Sequence, residues 1–333
     1  MKNINLSHGS GGEETHKLIE ELFYKYYENN ILLQQNDSSI VGKINGKIAI
    51  STDSFVVNPI FFPGGDIGKL SICGTINDLA MSGSTPLYIT TSFIIEEGLE
   101  YEELKIIVKS MAETAKKANV KIVAGDTKVV EKGKCEKIYI NTTGVGVIED
   151  YEVDGKNISI GDKVILSGTI ADHGMSIMSK RDFFNIENEI KSDCNYLNYL
   201  TKDMMKSSQN IKIMRDPTRG GLATTLKEIV NLSGKSILID EKKIKVKEEV
   251  KNFCEILGMD PLYVANEGKL ISIVSKEDVN KVLETMKNNK AGKDAQIIGE
   301  VIEDKKSNLY LKTSLGGRKI LNMARGEILP RIC

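Results

Sequence analysis

Apolar positions along the chain recur at two periods. In the stretch 61–80, Leu70, Cys73, Ile76, Leu79 and Ala80 follow a glycine-rich turn at helical spacing, which predicts a helix with one buried face. Leu104, Ile107, Val108, Met111 and Ala115 predict a second helix, and Leu18, Ile19, Leu22, Phe23, Tyr26 and Tyr27 an earlier one. Runs rich in β-branched and aromatic residues predict strands at 47–57, 87–95, 120–124 and 137–148. The 120–124 strand is expected to end in a polar turn at Gly125-Asp-Thr-Lys128.

The pattern turns polar, with two glycines, around 151–161, and a domain boundary is expected there. Beyond it, strands are predicted at 162–168, 236–240, 270–274, 295–302 and 308–312. Helices are predicted after Gly174, near the end of 182–209, from Asp216-Pro-Thr to Leu232, and at 246–257 and 277–288. Asp216 or Thr218 is expected to cap the third of these, with Pro217 in its first turn. The organisation is thus 1–150, 151–325, and a tail 326–333.

Composition narrows the function classes. With 333 residues the chain can build two cores, and a net charge of −1 supplies no field for nucleic acid or anionic lipid. No apolar run approaches the roughly 20 residues of a membrane span, and the first residues lack the apolar core of a signal peptide. Five cysteines without a C-x-x-C pair, beside three histidines, point to a reducing cytoplasm rather than a disulfide framework or a zinc site.

The candidate chemistry lies in polar residues that interrupt the apolar pattern. Asn77 and Asp78 fall within the buried stripe of the 61–80 helix, and Asp53 interrupts a strand shortly before it. A strand carboxylate and a helix carboxylate that converge suit a magnesium ion carrying phosphates. The loop Ser7-His-Gly-Ser-Gly-Gly12 precedes a helix and can offer N–H groups to an anion. Gly64-Gly-Asp-Ile-Gly-Lys69 is one residue short of a P-loop, with Leu70 in place of the magnesium-binding hydroxyl, so nucleotide is not expected there in the P-loop manner. His173, in the turn Ala171-Asp-His-Gly174, could contact a ligand, although a turn histidine is more often merely exposed. Glu267, in the acidic turn Ala265-Asn-Glu-Gly268, is a candidate acid or base. The chain ends Pro330-Arg-Ile-Cys333, a thiol on an arm stiffened by proline.

These motifs together resemble the HypE family of hydrogenase maturation proteins, in the PurM-like ATP-binding superfamily. The resemblance spans essentially the whole chain. It rests on His8-Gly-Ser-Gly-Gly12, Phe61-Phe-Pro-Gly-Gly-Asp-Ile-Gly-Lys69, Asn77-Asp-Leu-Ala80, Gly125-Asp-Thr-Lys128, Asp216-Pro-Thr-Arg-Gly-Gly221, Ala265-Asn-Glu-Gly-Lys269 and Pro330-Arg-Ile-Cys333. The terminal motif discriminates most, because other branches of the superfamily lack it.

The resemblance implies an α+β, two-domain PurM-like fold. Its N-terminal mixed α/β domain binds ATP and joins its sheet to a barrel shared with a second copy; a C-terminal α/β domain and a mobile tail follow. It implies that the carbamoyltransferase HypF carbamoylates Cys333 and that ATP then dehydrates the thiocarboxamide to a thiocyanate. The cyanide passes to iron on a HypC–HypD complex for the nickel–iron hydrogenase centre. Cys333, Glu267 and Lys128 are expected to be catalytic, with His8 a weaker choice of base. Asp53, Asp78 and Asp216 are expected at magnesium. Gly9, Ser10, Gly11, Gly12, Asp66, Lys69, Asn77, Asp126 and Arg219 are expected at ATP. The rival readings are selenophosphate synthetase, aminoimidazole ribonucleotide synthetase, and a non-catalytic metal chaperone. The first usually has a cysteine or selenocysteine in its N-terminal loop, where this chain has Ser10; neither synthetase has a use for the terminal thiol. A lone thiol with scattered histidines is a poor iron site.

Overall fold

The computed structural model describes residues 2–181, 190–304, 306–326, 329 and 331–333. They divide into two units: Met1–Leu79, Ser84–Glu149 and Cys333 form the first, Ala80–Gly83 and Asp150–Ile332 the second. Pro330 and the stretch 182–189 lie outside the described residues.

The first unit opens with a helical run: α1 (Glu13–Leu18), a π-helical stretch Ile19–Tyr24, and α2 (Lys25–Tyr27). Leu18, Leu22, Phe23 and Tyr27 are buried as the stripe predicts, whereas Ile19 and Tyr26 are half-buried. The wider i→i+5 turns shift which positions face inward. Next come β1 (Lys47–Phe55), the short hairpin β2 (Phe61–Phe62) and β3 (Gly65–Asp66), α3 (Ile67–Met81), β4 (Thr85–Glu96), α4 (Tyr101–Ala118), β5 (Lys121–Val130) and β6 (Ile138–Ile148).

The sheet order is β1-β6-β4-β5; β4 and β5, joined through α4, are parallel and the other pairs antiparallel. Two expectations are corrected here. First, β5 does not end before Gly125 but runs to Val130, so Asp126 and Lys128 are strand residues two apart on an edge strand. Pairing of Thr91–Glu96 with Gly125–Val130 overrides the turn-forming composition. Second, α3 is not buried on one face only: every residue from Leu70 to Asn77 is buried. Helix α4 approaches it so closely that a methyl group on Gly68 would lie 2.5 Å from the Ile107 carbonyl oxygen. On its other side, one on Gly74 would meet the Phe55 ring of β1 at 2.8 Å.

The second unit contains β7 (Lys163–Leu166), α5 (Asp172–Met178), α6 (Asn198–Ser207), β8 (Ile211–Arg215), α7 (Gly221–Ser233), β9 (Ser236–Asp240), α8 (Glu248–Leu257), β10 (Ile271–Val274), α9 (Val279–Asn288), β11 (Gln296–Ile302), β12 (Leu309–Lys312) and β13 (Arg318–Leu321). Their order is β13-β12-β9-β11-β7-β10-β8, antiparallel except for β12 beside β9. Successive strand residues feed two cores. Val164, Leu166, Ile213, Ile271 and Ile273 pack with Leu222, Leu226, Ile229 and Val230 of α7. Ile165, Ile211, Met214 and Val274 pack with α6 and α9 through Leu200, Met204, Val282 and Met286. Strand β13 is absent from the sequence reading because only Leu321 of its four residues is buried, which leaves no alternation to detect.

Helix α7 starts later than expected. Gly220 is its N-cap, at φ +75°, and Gly221, at φ +63°, opens it. Asp216 and Pro217 lie in the preceding turn instead of capping it. A methyl group on Gly221 would fall 2.7 Å from the Val264 carbonyl oxygen and 2.8 Å from that of Leu262. Glycine is needed there both for the left-handed backbone and for the close approach.

Candidate active site

In the first unit, β1 carries Asp53 and α3 carries Asp78, and one hydrogen bond joins the two elements. Ala49, Ser51, Asp53 and Phe55 share the inward face of β1. The Ser51 hydroxyl donates to Asp78 Oδ2 at 2.7 Å, which pins the half-buried Asp78 of α3 over that strand. Asp53 lies two residues further along the same face, about 7 Å on at strand rise. Asn77 is buried on α3, where Thr75 also links to β6 through a 2.6 Å hydroxyl–hydroxyl contact with Thr142. Among the described residues, no three His, Cys, Asp or Glu side chains are grouped to hold a metal by themselves. Two hard oxygen donors on facing elements fit magnesium, which commonly takes one or two carboxylates and completes its shell with water and phosphate oxygens.

Asp66 and Lys69 are engaged within the 61–80 element. The Asp66 carboxylate accepts the N–H groups of Gly68 (2.8 Å) and Lys69 (3.1 Å) and the Ser110 hydroxyl (2.6 Å). It thereby caps α3 and ties it to α4. Burial raises its pKa, and the hydrogen bonds from Ser110, Lys69 and Gly68 oppose that shift. Lys69 donates its ammonium to the Gly64 carbonyl at 2.8 Å, closing the β2–β3 hairpin.

A cleft of about 480 Å³ lies between the N-terminal segment and β4–β5. Gly9, Gly11, Tyr27, Phe93, Asp126 and Lys128 are among its walls. The glycine-rich loop is seated against β5: a methyl group on Gly9 would lie 2.3 Å from the Val129 backbone nitrogen. Ser10 Oγ donates to the Ser7 carbonyl at 2.9 Å, Gly11 N–H donates to Thr15 Oγ1 at 3.0 Å, and Gly12 is the N-cap of α1. His8 is buried, and its Nδ1 accepts the Asn5 N–H at 3.0 Å. Asp126 and Lys128 form a 2.9 Å ion pair, both more than half exposed. Asp37 also lines the cleft and was missed by the sequence reading. Its only local signal is a carboxylate in the polar run Asn36-Asp-Ser-Ser39 before β1.

The second unit gathers three loops around Asn266, which is fully buried. Its Oδ1 accepts the Ala171 N–H at 2.7 Å, and its Nδ2 donates to the Pro217 and Val264 carbonyls, each at 3.1 Å. The Asn266 N–H adds a 3.0 Å bond to the Pro217 carbonyl. One side chain therefore joins the start of α5, the Asp216–Arg219 turn and the Glu267 loop. Asp216 is half-buried and Arg219 exposed.

Glu267 is 2% exposed, so its turn is buried rather than solvated. Asp193 holds that turn: it accepts from Glu267 N–H, Gly268 N–H and the Lys269 ammonium, each at 3.2 Å. Burial pushes the Asp193 carboxyl up, but the Lys269 charge and the Glu267 N–H outweigh it and hold it below the usual carboxylate range.

His173 is likewise fully buried, on α5, contrary to the exposed turn expected. Cys333 is half-buried, and its backbone carbonyl accepts the Val56 N–H at 3.4 Å. The other four cysteines are buried and unbridged; burial pushes the Cys254 thiol up to about 11.

The chain matches the AIR synthase related protein N-terminal domain over residues 35–148 and the corresponding C-terminal domain over residues 159–312. It is 47% identical to the carbamoyl dehydratase HypE of Cupriavidus necator, covering 99% of this chain and 95% of that protein. A crystal structure of hydrogenase maturation protein HypE in complex with ATP is similar at a TM-score of 0.95 and 42% identity, covering 99% of each chain. A chain of a HypE–HypF complex is similar at a TM-score of 0.81 and 49% identity, covering 92% of this chain and 99% of that one. By these similarities over its full length, the chain belongs to the HypE family of carbamoyl dehydratases.

Proposed function

We propose that this chain accepts a carbamoyl group on Cys333 and uses ATP to dehydrate the resulting thiocarboxamide to a thiocyanate. The observation that carries this reading is the contrast among the thiols: Cys333 is half-buried at the chain terminus, and the other four are buried. In the dehydration, the carbamoyl oxygen attacks the γ-phosphorus of ATP and ADP leaves. Both N–H protons are then removed, the C–O bond breaks, and S–C≡N and phosphate result. Phosphorylation makes a poor leaving group into a good one.

Glu267 is assigned the base, since its buried turn excludes competing water and Asp193 fixes its backbone. Lys128 is assigned the phosphoryl charge, with Asp126 orienting its ammonium. Gly9–Gly12 and the 480 Å³ cleft receive the nucleotide, with Asp37 at its wall. Asp53 and Asp78 would hold magnesium, which supplies charge neutralisation on the transferred phosphoryl group. In the second unit, Asp216 is assigned to metal and Arg219 to phosphate. Asn77 orders the helix that carries Asp78, and Asp66 and Lys69 set the start of that helix.

The partners follow from the same reading. A HypF-type carbamoyltransferase loads Cys333, and a HypC–HypD iron complex accepts the cyanide. A homodimer is supported by the outer face of β1, where Ile48 and Ile50 are 57% and 69% exposed beside one another on a strand. The reducing cytoplasm suits five unbridged thiols, and among the described residues no helix is long and apolar enough to cross a membrane.

Intact mass tests the central step. Wild type and Cys333→Ala are incubated with an active carbamoyltransferase, carbamoyl phosphate and Mg-ATP, and the carbamoylated protein is then isolated and given Mg-ATP without the transferase. The expected result is an adduct on wild type only, followed by loss of one water as ATP is hydrolysed. An unmodified Cys333 beside a confirmed active transferase defeats the proposal.

A further inference from the structure

The last described residues are gripped by their backbone. His173 Nε2 lies 2.5 Å from the Ile332 carbonyl oxygen, and Arg181 Nη2 donates to the Arg331 carbonyl at 3.1 Å. A carbonyl can only accept, so Nε2 carries the proton; Nδ1 faces the Ser192 hydroxyl at 2.7 Å. Burial pushes the His173 pKa down, while Asp193 and the Ile332 carbonyl oppose that shift. The neutral Nε2–H tautomer, with Ser192 donating to Nδ1, satisfies both contacts.

The ring cannot easily swing away. Its neighbour Gly174 donates its N–H to the Ala265 carbonyl at 3.2 Å, and the preceding Ala171 is held by Asn266. The tail adds apolar anchors: Ile332 is 6% exposed, and Leu329 packs against the cluster that includes Met175, Phe253 and Val264. The main chain is thus fixed one residue before the thiol by a histidine aimed at it from a rigid helix.

We propose that His173 is a positioning residue for the terminal thiol: its Nε2–H bond to the Ile332 carbonyl, seconded by Arg181 on the Arg331 carbonyl, holds the tail docked and so sets where Cys333 stands. The role rests on the reading of Cys333 as carbamoyl carrier, but the docking itself is measurable without that chemistry. Because the other cysteines are buried, the rate at which a thiol reagent such as iodoacetamide labels the native protein reads Cys333 alone.

His173→Leu removes the donor, His173→Gln keeps an N–H at the same reach, and Arg181→Ala removes the second bond from a half-buried side chain. Labelling is expected to rise roughly fivefold in His173→Leu, the equivalent of a ~1 kcal/mol hydrogen bond. His173→Gln should fall back toward wild type, and Arg181→Ala should show a rise of similar size. On isolated carbamoylated protein, single-turnover dehydration should slow in the same rank order, while the KM for ATP stays unchanged. Equal labelling in wild type, His173→Leu and Arg181→Ala overturns the proposal. So does a His173→Gln variant as loose as His173→Leu. If labelling follows the expected order but carbamoylated wild type fails to lose water with ATP, the docking stands and the dehydratase reading falls.

Discussion

Asn266→Ala is the sharpest test of how the second unit is built. The substitution removes three side-chain hydrogen bonds at a fully buried position. The Pro217 carbonyl keeps the Asn266 N–H, so its loss is partial. The Ala171 N–H, on a residue that is itself fully buried, loses the Oδ1 acceptor. An orphaned buried donor costs about 1–3 kcal/mol, and each weakened carbonyl contact about 1 kcal/mol. The sum is about 4 kcal/mol. In urea, at a slope of about 2–3 kcal/mol per M, the transition of this unit should fall by about 1.3–2 M. Melting should drop by roughly 8–16 °C.

Asn266→Asp separates hydrogen bonding from volume. It keeps the acceptor for Ala171 but turns an oxygen toward the Pro217 and Val264 carbonyls. It should therefore be at least as damaging as alanine at neutral pH and recover as pH falls. The sign follows from linkage: a carboxyl whose folded pKa is raised is destabilising when ionised, and that penalty disappears as pH drops through the folded pKa. A loss below about 1 kcal/mol in Asn266→Ala, or an Asp variant as stable as wild type at neutral pH, would refute the reasoning.

Asp53→Asn and Asp78→Asn should each lower magnesium-dependent ATP turnover by about 100-fold or more, with melting little changed, as steady-state kinetics across magnesium concentrations would read. Gly68→Ala should destabilise by about 1–3 kcal/mol, visible in the melting curve, because the new methyl must push α4 away from α3. Asp193 has a folded pKa below its unfolded value, so its contribution is present above the unfolded pKa and lost as pH falls through the folded one. Urea midpoints of Asp193→Asn should accordingly lose the acid-side slope of wild type and lie below it at neutral pH.

Local pattern carried far in some places and failed in others for identifiable reasons. Helix α4 was legible because all five stripe residues are among the seven its packing buries. Strand β5 was not, because Gly125-Asp-Thr-Lys128 reads as a turn until the β4 backbone is set beside it. The start of α7 was misread for a similar reason: Asp216-Pro-Thr has the composition of a cap, but Gly221 must pass against the Leu262 and Val264 carbonyls, which fixes the first turn later. At the site, that β1 and α3 face each other could be expected from sequence, because a strand and the helix after it commonly do, and the Ser51–Asp78 hydrogen bond joins them. The burial of His173 and Glu267 could not, since both depend on Asn266 and Asp193, distant in sequence from at least one of the groups they hold.

The uneven burial of the five thiols has a consequence for oxidative stress. A peroxide meets the terminal sulfur first, while the other four sit inside packed cores. Damage therefore begins at the working group and leaves the fold intact, so activity fails before stability does. At the sulfenic stage that loss is reversible by thiol reductants, and only further oxidation makes it permanent. On the reading of Cys333 as carbamoyl carrier, the exposure that lets it be loaded also makes it the thiol most open to oxidation.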